Sequence, residues 1–184
     1  MTGVRTEAFL STDERGSARR RIGTRTPRGI VALLAAWLGA VLFFGAGVAP
    51  AAFAVLAEQG DAGALVGRLL PVLFYGGLVV GLALIVAAIR LSAVRRAVRR
   101  TLTIVGVVML ATCGLAQFWV APEIARVRRA AGELDALPPD DKLRLEFGRL
   151  HAMSVALLGI AWLGGATVLI VSLLASPRRT QSVG

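Results

Sequence analysis

The chain has 184 residues, 56% of them hydrophobic, and a mean hydropathy of +0.72, too apolar for an ordinary soluble domain. A single histidine and a single cysteine exclude a bis-histidine haem site within one chain, an intramolecular disulfide and a Cys/His zinc cage. The net charge of +10 suggests nucleic acid, but the basic residues cluster between apolar stretches, as topology signals do, so no nucleic-acid partner is expected.

Residues 1–28 are rich in Arg, Thr, Ser and Gly and read as a basic, disordered cytoplasmic tail. Charge-free stretches then run over 29–57, 69–89, 101–122 and 152–177. Each reaches the roughly 20 residues that cross about 30 Å of hydrocarbon at about 1.5 Å per residue. In the first, Ala52-Phe53-Ala54 imitates a signal-peptidase site, but the apolar run before it is too long for a signal peptide and is read as a span. Ala35 and Gly39, Gly77 and Gly81, and Ala161 and Gly165 keep the small-xxx-small spacing of close helix contacts. Trp37 and Trp162 are expected to pack inside and Trp119 to anchor at an interface. No internal repeat is evident.

The link between the second and third spans carries Arg90, Arg95, Arg96, Arg99 and Arg100 without an acid, whereas the first link holds Glu58 and Asp61. Basic residues on the tails and the second link place both termini in the cytoplasm. The same arginines would meet anionic lipids. The third helix keeps its register past Pro122 through Ile124 and Val127, until Pro138-Pro139 breaks the chain. Asp140 is the expected N-cap of a fourth helix that starts near Asp141 and enters the membrane near Ala152. The expected fold is thus an all-α, integral membrane four-helix bundle, N-in/C-in, over 29–176. The hairpin between its third and fourth helices would project on the outer face, and 177–184 form a short cytoplasmic tail. The cytoplasmic membrane of a bacterium is the expected location, with homo-oligomerisation through the small residues compatible.

Alternation of four helices brings Arg68, Gln117, Glu123, His151 and Ser154 to one end, with Pro50, Pro71 and Pro122. Phe147, Leu150, His151 and Ser154 share a stripe at i, i+3, i+4 and i+7, as do Arg68, Pro71, Val72 and Tyr75. Met153 lies off the first stripe. Glu123 with Arg126, and Glu146 with Arg149, stand at pairing distance along a helix, and Arg68 either snorkels or turns inward to Glu123 or Glu146. Each proline removes an N–H, which in an α-helix frees the carbonyls of Ala46, Gly67 and Phe118. Within lipid such carbonyls need partners or a hydrated cavity, hence an expected outer vestibule.

Phe147-Gly148-Arg149-Leu150-His151-Ala152-Met153-Ser154 resembles the F-x-R-x-H-x-M-S signature of the transmembrane-protein-205-like family. Phe43-Phe44, Gly47, Pro50, Phe53 and Leu56 resemble its first helix, and Gln117-Phe-Trp-Val-Ala-Pro122 its third, with Gln117 where relatives often carry Asn. The resemblance spans about residues 30–175 and implies a four-helix membrane protein, but no chemistry.

Three functions fit these residues. A non-enzymatic protein would bind or pass a small polar ligand or ion at the vestibule. His151, Ser154, Arg68, Gln117, Glu123, Arg149, Pro50 and Pro122 form its polar cluster. A scaffold or assembly partner would use the same residues to fix bundle geometry. An enzyme is the weakest reading, since neither a nucleophile–base pair nor a carboxylate cluster lies within the spans, and no cofactor or resident metal is expected.

Overall fold

The computed structural model describes residues 28–90 and 96–174, and within them every long element is helical. We number four helices: α1, Arg28–Val55; α2, Gln59–Arg90; α3, Arg96–Ala131; and α4, Lys142–Leu174. All four are long and apolar enough to cross a membrane. Their outward faces, including Val79, Leu82, Ile104, Ile160 and Leu163, are exposed and apolar, as lipid requires. The chain is an integral membrane protein. The basic tail expected over 1–28, apart from Arg28 at the start of α1, lies outside the described residues, as do Arg95 and the tail over 177–184.

The helices close into a ring in which α1 packs on α2 and α4, and α3 packs on α2 and α4. Short connections at alternating ends make neighbours antiparallel. Four apolar stripes meet in a core of Leu34, Trp37, Phe74, Leu84, Met109, Cys113 and Ala161. The indole of Trp37 donates to the Leu73 carbonyl at 2.9 Å, and that of Trp162 to the Leu38 carbonyl at 3.1 Å. These bonds satisfy both indoles in an apolar setting and pin α1 to α2 and to α4.

Small residues allow this packing. Gly77 leaves room for the Cys113 thiol and, with Gly76, for the Trp37 ring, while Gly165 admits Leu34 and Leu38. Two of the three small-xxx-small pairs therefore face the bundle. The third does not: Ala35 is exposed, and a methyl placed on Gly39 would meet nothing within 4 Å, because α1 presents both residues outward.

The ends follow local chemistry. The Glu58 carbonyl accepts the Ala62 N–H at 3.2 Å as α2 begins. Gly132 ends α3 at φ 65, where a side chain would be strained, and its N–H returns to the Arg128 carbonyl at 3.1 Å. After the break at Pro138-Pro139, Asp141 Oδ1 accepts the Leu143 N–H at 2.8 Å. The cap of α4 is therefore Asp141 rather than Asp140, since Asp141 is the last residue before the helix.

Candidate functional site

Proline shapes the polar end through register. Pro50 in α1 and Pro122 in α3 each follow a π turn, over Phe44–Val48 and Ala116–Val120. The Ala49 N–H bonds to the Phe44 carbonyl and the Ala121 N–H to the Ala116 carbonyl, five residues back. In this wider register the carbonyls opposite the proline nitrogens are those of Gly45 and Gln117. Pro71 sits inside the α-helical α2, where Gly67 remains the carbonyl concerned.

Gln117 therefore carries two acceptors of interest. Its backbone carbonyl stands five residues before the Pro122 nitrogen, and its side-chain Oε1 is buried with no hydrogen-bond partner. No other member of the predicted cluster hydrogen-bonds to that Oε1. His151, Arg68, Arg149, Pro50 and Pro122 are exposed, and Glu123 is half-buried. Ser154 is buried, but its hydroxyl donates to the His151 carbonyl at 2.8 Å within α4. The helical stripe of Phe147, Leu150, His151 and Ser154 is thus split. Leu150 and Ser154 turn into the bundle, whereas His151 turns out and stacks on Phe147, with ring centroids 6.0 Å apart. Met153 is half-buried in the apolar contact of α3 with α4.

Ion pairing also differs from the helix-local expectation. Arg126 Nε donates to Glu123 at 2.6 Å, as expected, and its Nη2 reaches across to Glu146 on α4 at 2.8 Å. Glu146 is therefore bound to Arg126 rather than to Arg149. Among the described residues Arg68 and Arg149 have no ion pair, because both project from outward faces. Tyr75, on the same helical stripe as Arg68, is exposed and meets the Phe118 ring edge-on at 6.3 Å.

One participant is not apparent from sequence. Arg128 lies 5.1 Å above the Phe147 ring, and its Nε is buried without a hydrogen-bond partner. Its guanidinium occupies the space where a side chain at Gly63 of α2 would stand. Gly63, Arg128, Phe147 and His151 thus form a stack joining three helices. The only sequence signal is the persistence of the α3 register past Pro122, and it does not distinguish Arg128 from the exposed Arg129. Among the described residues no group of three His, Cys, Asp or Glu side chains could hold a metal ion.

No curated protein and no solved structure matches the chain. A family profile described as "Domain of unknown function (DUF4149)" matches residues 32–133, which covers most of α1, all of α2 and α3, and leaves α4 outside. The four-helix membrane chain therefore belongs to the DUF4149 family.

Proposed function

We propose that this protein binds a small hydrogen-bond donor or monovalent cation at the Gln117 π turn, without catalysing a reaction. The carrying observation is the buried, unpartnered Oε1 of Gln117, a residue of the π turn that precedes Pro122. A buried acceptor without a donor costs about 1–3 kcal/mol, so a ligand supplying a donor or positive charge gains at least part of that. Arg128 lies eleven residues further along α3, about 16 Å away at 1.5 Å per residue, and does not share this site. Binding is favoured over passage because Met109, Cys113, Ala116 and Ala161 fill the core with no exposure.

The reading places the Gln117 end outside the cytoplasmic membrane of a bacterium, with the N- and C-termini inside. Support comes from Arg90, Arg96, Arg99 and Arg100 at the opposite end, where they would meet anionic lipids. The α3–α4 hairpin would then project outward, and the α4 motif from Phe147 to Ser154 would place the chain in the transmembrane-protein-205-like group. Trp119, exposed and two residues from Gln117, is a fitting reporter. Titrating the purified protein with ammonium, sodium and potassium should give a saturable change in tryptophan emission with one of them, lost in Gln117→Leu. No saturable change with any cation would overturn the proposal.

A scaffold reading has one observation in its favour: His151, Arg149 and Leu145 lie exposed on α4 along the stretch that Arg126 braces through Glu146. Site-directed crosslinking from His151→Cys in native membranes tests it, and capture of no discrete partner would count against it.

A further inference from the structure

The two hairpins of the bundle repeat one another, contrary to the residue-by-residue expectation of no repeat. Val48-Ala49-Pro50 recurs as Val120-Ala121-Pro122, and Gly67-Arg68-Leu69 as Gly148-Arg149-Leu150. The first recurrence is displaced by 72 positions and the second by 81. The longer α3–α4 connection absorbs the difference. Structure follows the same displacements. Each Val-Ala-Pro follows a π turn that ends at its valine. Ala52, Ala62 and Val66, which form a small core cluster in the first hairpin, map onto Ile124, Leu143 and Phe147, which pack against the buried Val120, Val127 and Leu150 in the second. In α2 and α4, buried Leu73, Val80, Leu84 and Ala87 map onto buried Ser154, Ala161, Gly165 and Val168.

Against that common frame, one face differs in chemistry. An open groove of about 600 Å³ runs between α1 and α2, lined by Phe43, Gly47, Ala51, Val55, Leu56 and Leu65. Ala51, Leu56 and Leu65 have Glu123, Arg128 and Glu146 as their counterparts. In the second hairpin those charges close the face, through Arg126 between the two glutamates and Arg128 over Phe147. The first hairpin carries no charge among its groove residues and leaves the space open.

The charges bordering the groove are ordered. Asp61, Leu65 and Arg68 stand at i, i+4 and i+7 on one stripe of α2, and Leu65 is part of the groove wall. Asp61 and Arg68 are both exposed, and neither has an ion pair among the described residues. Helical side chains lean toward the N-terminus, so the Arg68 guanidinium is carried toward Asp61 and the α1–α2 connection, where Glu58 is also exposed. From Phe43 and Gly47 toward that connection the chain therefore offers first the Arg68 cation and then the Asp61 and Glu58 carboxylates, along an apolar wall that continues through Ala51, Leu65, Val55 and Leu56. A zwitterionic phospholipid with a primary amine presents the complementary order: acyl chain, phosphate, ammonium.

We propose that the α1–α2 groove is a binding site for one phosphatidylethanolamine-type lipid. An acyl chain lies along Phe43, Gly47 and Ala51, the phosphate meets Arg68, and the amine meets Asp61 and Glu58. The site is independent of Gln117. Native mass spectrometry of the full chain, released from mild detergent after incubation with equal amounts of phosphatidylethanolamine, phosphatidylcholine and phosphatidylglycerol, reads it directly. One phosphatidylethanolamine should remain bound to the wild type. Its retention should fall by about tenfold in Ala51→Trp, which fills the groove from an exposed position, and in Arg68→Gln, which removes the charge-assisted contact. Asp61→Asn should erase the preference over phosphatidylglycerol while leaving lipid bound. Equal retention of the three lipids by the wild type, or unchanged retention in Ala51→Trp with a wild-type melting temperature, would overturn the proposal.

Discussion

Gly81 of α2 and Gly106 of α3 face each other so closely that a methyl on either would press on the other's backbone. A Cβ at Gly81 would stand 3.0 Å from the Gly106 carbonyl oxygen, and one at Gly106 would stand 2.8 Å from the Gly81 carbonyl oxygen. Backbone cannot rotate away as a side chain can, so Gly106→Val should destabilise the detergent-solubilised protein by about 1–3 kcal/mol, the range for overpacking. Gly39→Val, on the open face of α1, should leave the melting temperature within error. Equal shifts for the two variants in a thermal-melting assay would refute the asymmetry.

Trp37→Phe keeps most of the ring in the core but removes the donor to the Leu73 carbonyl. The expected loss is about 1 kcal/mol, the net worth of a typical hydrogen bond. Trp119→Phe should cost nothing measurable, since that ring is exposed. Unfolding titrations of the two variants in mixed detergent micelles give the comparison.

Arg126→Gln breaks two ion pairs with one substitution, whereas Arg149→Gln breaks none. Because the Arg126 pairs are solvent-exposed, the drop in melting temperature should be modest and should shrink as salt is raised. A drop that salt does not alter would mean that Arg126 acts through packing instead.

The π turn over Ala116–Val120 holds one more residue per turn than an α-helix. Deleting Trp119 should therefore restore α register and keep Val127 facing the bundle. Deleting Ala111, in the α-helical part, should rotate everything beyond it by about 100° and expose Val127. Thiol labelling of Val127→Cys in both backgrounds is the readout: protected in the first deletion and reactive in the second.

The spans are legible in the sequence because lipid imposes a length of apolar residues that little else requires, and the break at Pro138-Pro139 is legible because proline cannot continue a helix. Helix periodicity places Ser154 and His151 on one stripe, yet it does not say which edge of the stripe meets α3. That edge is set by packing between helices, which leaves His151 exposed and Ser154 buried. Sequence pairs Glu146 with Arg149 because helix-local pairs are visible there, whereas Arg126 lies twenty residues away. The π turns stay hidden because a proline in sequence announces a lost donor but not how the turn before it will adjust. The shared Val-Ala-Pro is the available signal.

The two indole bonds also have a consequence for how the chain is made. Trp37 finds its acceptor 36 residues downstream, as soon as α2 has followed α1 into the membrane. The Leu38 carbonyl next to it waits for Trp162, 124 residues downstream on α4, the last of these four helices to be synthesised. Until then α1 holds one neighbour and lacks the other, with Leu34 and Leu38 open to whatever is at hand. The ring of four helices thus closes only when α4 arrives. A ribosome that stops before α4 would leave a three-helix intermediate with an unsealed seam, a natural substrate for membrane quality control.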